Sequence, residues 1–95
     1  MNRKKIFNEI EAERYHQENR WGNDSDDTAN DPHDFAAYIA LYSNRWMDGQ
    51  LPPTYTKNSL DNWRRDMIKT AALCVAAVES FDRQREKNGK AFYEA

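Results

Sequence analysis

The eight residues Ala71-Ala72-Leu73-Cys74-Val75-Ala76-Ala77-Val78 carry no polar side chain, and they sit in the middle of a pattern that predicts one long helix over residues 59–87. Arg64, Arg65, Asp66 and Lys69 precede the segment; Glu79, Asp82, Arg83 and Arg85 follow it. A helix that is apolar on every side is normally buried on every side. At 1.5 Å per residue this helix spans roughly 40 Å, against roughly 24 Å for the helix predicted before it. Shorter neighbours cannot cover all of it. The expected fold is therefore all-α: a three-helix protomer with one long C-terminal helix, assembling into an oligomeric helical bundle.

Residues 1–95 make a single helical domain, whose own core is marginal because a chain of this size buries only about 60–65% of its unfolded surface. A mean hydropathy of −1.10 with 32% charged residues approaches the composition of a disordered segment. Three Trp, five Tyr and four Phe argue for a packed chain instead. The net charge of −2 leaves no footprint for polymeric nucleic acid or an anionic membrane. Cys74 is the only cysteine and falls among alanines, so it is expected as a small buried hydrophobe in a reducing compartment. Eight consecutive apolar residues fall far short of the ~20 that span a bilayer. The opening Met-Asn-Arg-Lys-Lys lacks an apolar stretch of signal-peptide type. These features point to a soluble, cytoplasmic protein.

The first helix is predicted over residues 3–19, with Ile6, Ile10, Arg14, Gln17 and Trp21 at helical spacing and Gly22 ending it. A polar loop follows over residues 23–30. Asp31, Pro32 and Asp34 form the clearest helix start in the chain: a cap, a first-position proline and a first-turn carboxylate. Phe35, Ile39, Tyr42 and Trp46 then make an apolar stripe, widened by Tyr38 and Leu41, and Gly49 stops the helix. Residues 51–55 read as an extended connector. The third helix is expected to start at Asn58 or Ser59, with Leu60, Trp63, Met67, Cys74, Val78 and Phe81 lining its buried face.

Three constellations carry possible chemistry. Arg65, Lys69, Ala72, Ala76, Glu79 and Arg83 share one face of the third helix, and two alanines between cations suggest a shallow floor for a phosphorylated ligand. The same pattern serves as a helix-packing groove with solvated ends. Glu9 and Glu13 are co-facial, as are Glu79 and Asp82, and such carboxylate pairs either hold magnesium or remain a solvated acidic face. Among the aromatics, Trp21 and Tyr55 lie at helix ends or in loops and are the better candidates to stack on a base. Asp24, Asp26 and Asp27 lack the glycine and glutamate of a calcium loop, and His16 and His33 have no zinc partners at ligand spacing.

Glu13-Arg14-Tyr15-His16-Gln17 with Arg20-Trp21-Gly22 resembles the opening of a group of small phage and prophage proteins, E-R-x-x-Q…W-G. Residues 64–73 and 76–83 resemble their C-terminal helix, R-x-x-(L/I)-(V/I)-K-x-A-A-L…A-x-x-E-x-x-D-R. The resemblance covers about two thirds of the chain. Some of these proteins are similar to the MazG-type all-α nucleoside triphosphate pyrophosphohydrolases, which hold magnesium between an E-E-x-x-E helix and an E-x-x-D helix. Glu79-Ser80-Phe81-Asp82 matches the second motif by residue type. The first is missing from the second helix, which has no carboxylate between Asp34 and Asp48; only Glu9-Ile10-Glu11-Ala12-Glu13, from another helix, is available in its place.

The expected function is accordingly that of a phage-type nucleotide-binding protein acting in the bacterial host cell. It is non-catalytic and cofactor-free, a sponge that sequesters a cyclic or modified nucleotide signal in an anti-defence role. Arg65, Lys69, Arg83, Glu79, Arg14, Gln17, Trp21 and Tyr55 are its expected ligand-binding residues, and the expected partners are further copies of the chain and the nucleotide. The enzymatic alternative is a MazG-like, magnesium-dependent pyrophosphohydrolase with Glu79, Asp82, Glu9 and Glu13 on the metal. A second alternative is a protein-binding helical module.

Overall fold

The computed structural model describes residues 2–22, 30–47 and 56–88. Among these the chain is entirely helical, with α1 (Arg3–Trp21), α2 (Pro32–Asn44) continued by a 3-10 turn (Arg45–Met47), and α3 (Lys57–Asn88). Tyr55, Gly49, the connector 51–55 and nearly all of the polar loop lie outside the described residues. No described helix is long and apolar enough to cross a membrane.

Local chemistry sets the ends of each helix. α1 runs two residues further than expected and stops at Gly22, whose φ of 79° is the conformation a glycine adopts without strain. The Gly22 N–H donates to the Glu18 carbonyl at 2.8 Å. α2 opens with a reciprocal box: Asp34 N–H donates to the Asp31 carboxylate at 2.9 Å and Asp31 N–H to the Asp34 carboxylate at 3.0 Å. Pro32 takes the first turn, where no backbone donor is needed. α3 begins earlier than Asn58 or Ser59. Thr56 caps it, its N–H donating to Ser59 Oγ at 2.9 Å while Ser59 N–H donates back to Thr56 Oγ1 at 3.0 Å. The serine expected at the cap therefore closes the first turn from inside the helix.

Both shorter helices pack on α3 and not on each other. Glu9 meets Arg64, Glu13 meets Lys69 and Arg14 meets Glu79, so α1 advances in the same sense as α3. Phe35 lines a notch with Ala77 and Phe81, whereas Arg45 meets Asp66 and the Trp46 ring stands edge-on to Trp63 at 6.3 Å. α2 therefore runs against α3.

The core differs from the expected one. Phe35, Ala72, Leu73 and Ala76 are its buried apolar residues among those described, joined by buried Arg14, Gln17, Ser59, Asp66 and Ser80. Alanine and serine dominate the packed side of α3, which lets two helices approach it closely. Larger apolar side chains stay open to solvent: Leu60, Trp63, Val75 and Val78 are each more than 40% exposed, although Trp63 meets Trp46 and Val78 borders the Phe35 notch, and Cys74 is exposed rather than buried. The all-round apolar segment is thus covered on one side only, because α1 and α2 both dock on the same half of α3.

Candidate functional site

Since α1 and α2 pack on α3 and not closely on each other, a valley runs between them with α3 as its floor. Its open part is a cavity of about 240 Å³. α1 contributes Glu13, His16, Gln17, Arg20 and Trp21; α2 and its 3-10 extension contribute Tyr42 and Arg45; Lys69 and Leu73 come up from the floor. These α1 residues repeat every three or four positions, so one helix face delivers all of them.

The charges in the valley are held in place. Lys69 Nζ donates to Glu13 Oε1 at 3.0 Å. Arg45 Nε donates to Asp66 Oδ2 at 2.9 Å, and a second nitrogen meets the other carboxylate oxygen. That fork grips a carboxylate whose side chain is 1% exposed, while 36% of the Arg45 side chain stays open. The Asp66 hydrogen bonds hold the Arg45 guanidinium above the ordinary arginine value, so it is a permanent cation. It also lies 4.7 Å from the Tyr42 ring centroid, and Arg20 lies 5.6 Å from that of Trp21. Beneath them Gln17 is 3% exposed. Its Nε2 donates a long 3.4 Å hydrogen bond to the Lys69 carbonyl, and its Oε1 is buried with no donor. A buried acceptor left unmatched costs about 1–3 kcal/mol. The Gln17 side chain lines the cavity together with cations and aromatic rings.

Three of the expected ligand residues, Lys69, Gln17 and Trp21, come together in this valley. Tyr55 lies outside the described residues, and Arg14, Glu79, Arg83 and Arg65 do not join them. Arg14 is buried, its Nε 2.7 Å from Glu79 Oε1, so these two neutralise each other. Arg83 lies fourteen residues beyond Lys69 on α3, roughly 21 Å along the axis. Arg65 opens on a separate groove with Glu9, Glu13, Asp61, Arg64 and Ile68, which Lys69 also reaches. The alanine floor is not open to a ligand: Ala72 and Ala76 are 0% and 2% exposed in the helix packing.

That second groove is larger, about 340 Å³, but its charges are matched internally. Arg64 donates to both oxygens of Glu9, at 3.1 and 2.6 Å, and these bonds hold the Glu9 carboxyl below the usual glutamate range. The carboxylates of the enzymatic alternative are also dispersed. Glu9 pairs with Arg64 and Glu79 with Arg14, and positions 64 and 79 of α3 are about 22 Å apart along the helix. Glu13 is taken up by Lys69, and Asp82 is exposed. The parallel course of α1 and α3 places Glu9 beside the start of α3 and Glu79 far beyond it, so the four do not form one metal site.

Arg20, His16, Tyr42 and Arg45 are valley residues absent from the expected set. Arg20 stands in the Arg20-Trp21-Gly22 block and shares the face of Glu13 and Gln17, a signal that was present. Arg45 is placed by the 3-10 turn after α2, and nothing in the spacing of α2 announces that turn. No protein-family model, no curated protein and no solved structure matches the chain.

Proposed function

We propose that this chain binds a small phosphorylated ligand of nucleotide type in the valley between α1 and α2, and holds it without turning it over. The observation that carries the reading is the buried, donor-less Oε1 of Gln17, a residue that lines the same cavity as Lys69, Arg20 and Arg45. Phosphate oxygens accept hydrogen bonds and suit the three cations. They offer nothing to Gln17 Oε1, which needs a ribose hydroxyl or a base amino group. Trp21 and Tyr42 supply flat rings at the mouth for a base. Inorganic phosphate satisfies half of this arrangement and a nucleotide all of it. A cavity of about 240 Å³ takes the phosphate and sugar, with the base against the rim.

Glu13 is the single carboxylate lining the valley, and it is engaged by Lys69. Magnesium binds carboxylates and phosphates together, so such a site holds the metal weakly. This favours storage over hydrolysis. Sequestration of a cyclic or modified signalling nucleotide, in the cytoplasm of a phage-infected host, is the use that fits a small binder of this kind. Calorimetry against mononucleotides, cyclic dinucleotides and inorganic phosphate tests it. Nucleotides bind at least tenfold tighter than phosphate, and Arg20→Ala weakens them at least tenfold, as loss of one charge-assisted contact of ~1.5–3 kcal/mol requires. Absence of binding across the panel removes the proposal, and monophosphate release from triphosphates with magnesium replaces it with the enzymatic one.

A further inference from the structure

Among the described residues no helix covers the side of α3 that faces away from the valley; it is largely apolar and is touched only at its rims, where Arg64 clasps Glu9 and Val78 borders the Phe35 notch. Leu60, Arg64, Met67, Ala71, Cys74 and Val78 follow one another at steps of four and three, the spacing of a coiled-coil seam. Leu60 is 45% exposed, Val78 60%, and Cys74 lies open between them. Meanwhile the intramolecular core has four apolar residues among those described, few for a chain of 95.

We propose that this seam pairs with the same seam of a second copy, antiparallel, with the two-fold axis crossing α3 near the level of Leu73. Charge chooses the occupant and its direction. Arg64 and Asp82 are eighteen residues apart, five full turns, so they lie on the same flank of the seam at its two ends. An antiparallel two-fold brings like flanks together and sets each Arg64 opposite Asp82 of the second copy. A parallel two-fold brings opposite flanks together, so Arg64 and Asp82 never face each other and neither gains a partner. Arg64 already holds Glu9, yet a guanidinium carries five N–H donors and about half of this side chain is exposed. Asp82 is exposed at the other end. Between these pairs Met67, Ala71, Cys74 and Val78 interdigitate, with small residues at the centre allowing close approach. The seam lies on the far side of α3 from the valley, so dimer formation and ligand binding are separately testable.

Sedimentation equilibrium of the full chain at 10 to 100 micromolar is the first test. A species of twice the 11.2 kDa chain mass is expected, and an 11.2 kDa species throughout overturns the proposal. Val78→Glu should give a monomer with an unchanged helical circular-dichroism spectrum, since that side chain is mostly in solvent within the protomer; a Val78→Glu protein that stays dimeric places the contact elsewhere and overturns the seam. Asp82→Arg should raise the dimer dissociation constant at least tenfold in low salt, an effect that fades at 1 M salt; an unaltered constant overturns the antiparallel register. Direction is read by crosslinking. With Cys74→Ser, a cysteine at position 67 meets position 79 of the second copy and not its own counterpart. A short bis-maleimide should therefore leave the Met67→Cys protein uncrosslinked and join copies carrying both Met67→Cys and Val78→Cys. Efficient crosslinking of Met67→Cys alone shows a parallel pair and overturns the proposal.

Discussion

Removing either partner of the Arg45–Asp66 pair should damage the protein very unequally. Asp66 is almost completely buried, whereas Arg45 keeps about a third of its side chain in solvent. In Arg45→Met the aliphatic stem stays over Tyr42 but the carboxylate loses its fork, and the nearest remaining cation is Arg65 Nε at 3.8 Å. Removing one partner of a pair at a buried carboxylate costs about 3–5 kcal/mol. In Asp66→Asn the amide oxygen still accepts from Arg45, and the guanidinium turns to water. That loss is one charge-assisted interaction, about 1.5–3 kcal/mol. At roughly 4–8 °C per kcal/mol for a chain of this length, Arg45→Met lowers the melting midpoint by about 12–40 °C, well beyond Asp66→Asn. Thermal melts of the two variants followed by circular dichroism decide the matter. Equal losses in the two variants would falsify the assignment of the buried carboxylate as the sensitive partner.

Gln17→Met removes the unmatched buried oxygen while keeping the side-chain volume; it should stabilise the free protein by about 1 kcal/mol in urea unfolding and weaken nucleotide binding in calorimetry. A loss of stability from this change would show that Gln17 is already satisfied without a ligand. The Glu9 carboxyl is lowered by Arg64, so the stability contributed by that clasp is present above the usual glutamate range and lost as pH falls through the depressed folded value. Arg64→Gln should consequently be less stable than wild type at pH 7 and converge with it in acid, read from urea midpoints. Asp31→Ala removes the oxygen that accepts from Asp34 N–H and should cost about 1 kcal/mol with fraying of α2 at its start, measured by amide exchange of its first turn.

Helix positions were legible because their signals are local. Asp31-Pro32 and Gly22 act within one turn, and α1 ends within two residues of where the pattern puts it, whereas α2 gives way to the 3-10 turn after Asn44, short of the expected stop at Gly49. The inner face of α1 was legible in part: Arg14 and Gln17 are buried and reach α3, whereas Ile6 and Trp21 of the same stripe are exposed. Which side of α3 is packed was not legible. Apolar bulk pointed to Leu60, Met67, Cys74 and Val78, yet the close-packed side belongs to Ala72, Ala76 and Ser80. Small residues win there because two helices dock on α3 at once and buried ion pairs, Arg14–Glu79 and Arg45–Asp66, tie them down. Of the expected site, Lys69, Gln17 and Trp21 were found from spacing and resemblance. Arg83 shares a helix face with Lys69 but lies several turns further along it, and Arg65, one turn away, shares the neighbouring groove with Lys69 but not the valley.

The most direct test is a titration of ¹⁵N-labelled protein with a nucleoside monophosphate, followed through amide, indole and side-chain amide resonances. Binding in the valley moves the Trp21 indole, the Gln17 side-chain amide and the backbone signals of His16, Arg20 and Arg45, and leaves Arg65 and Ile68 in the neighbouring groove unchanged. Shifts confined to Arg65 and Ile68, or no saturable shifts at millimolar nucleotide, would contradict a nucleotide site between α1 and α2.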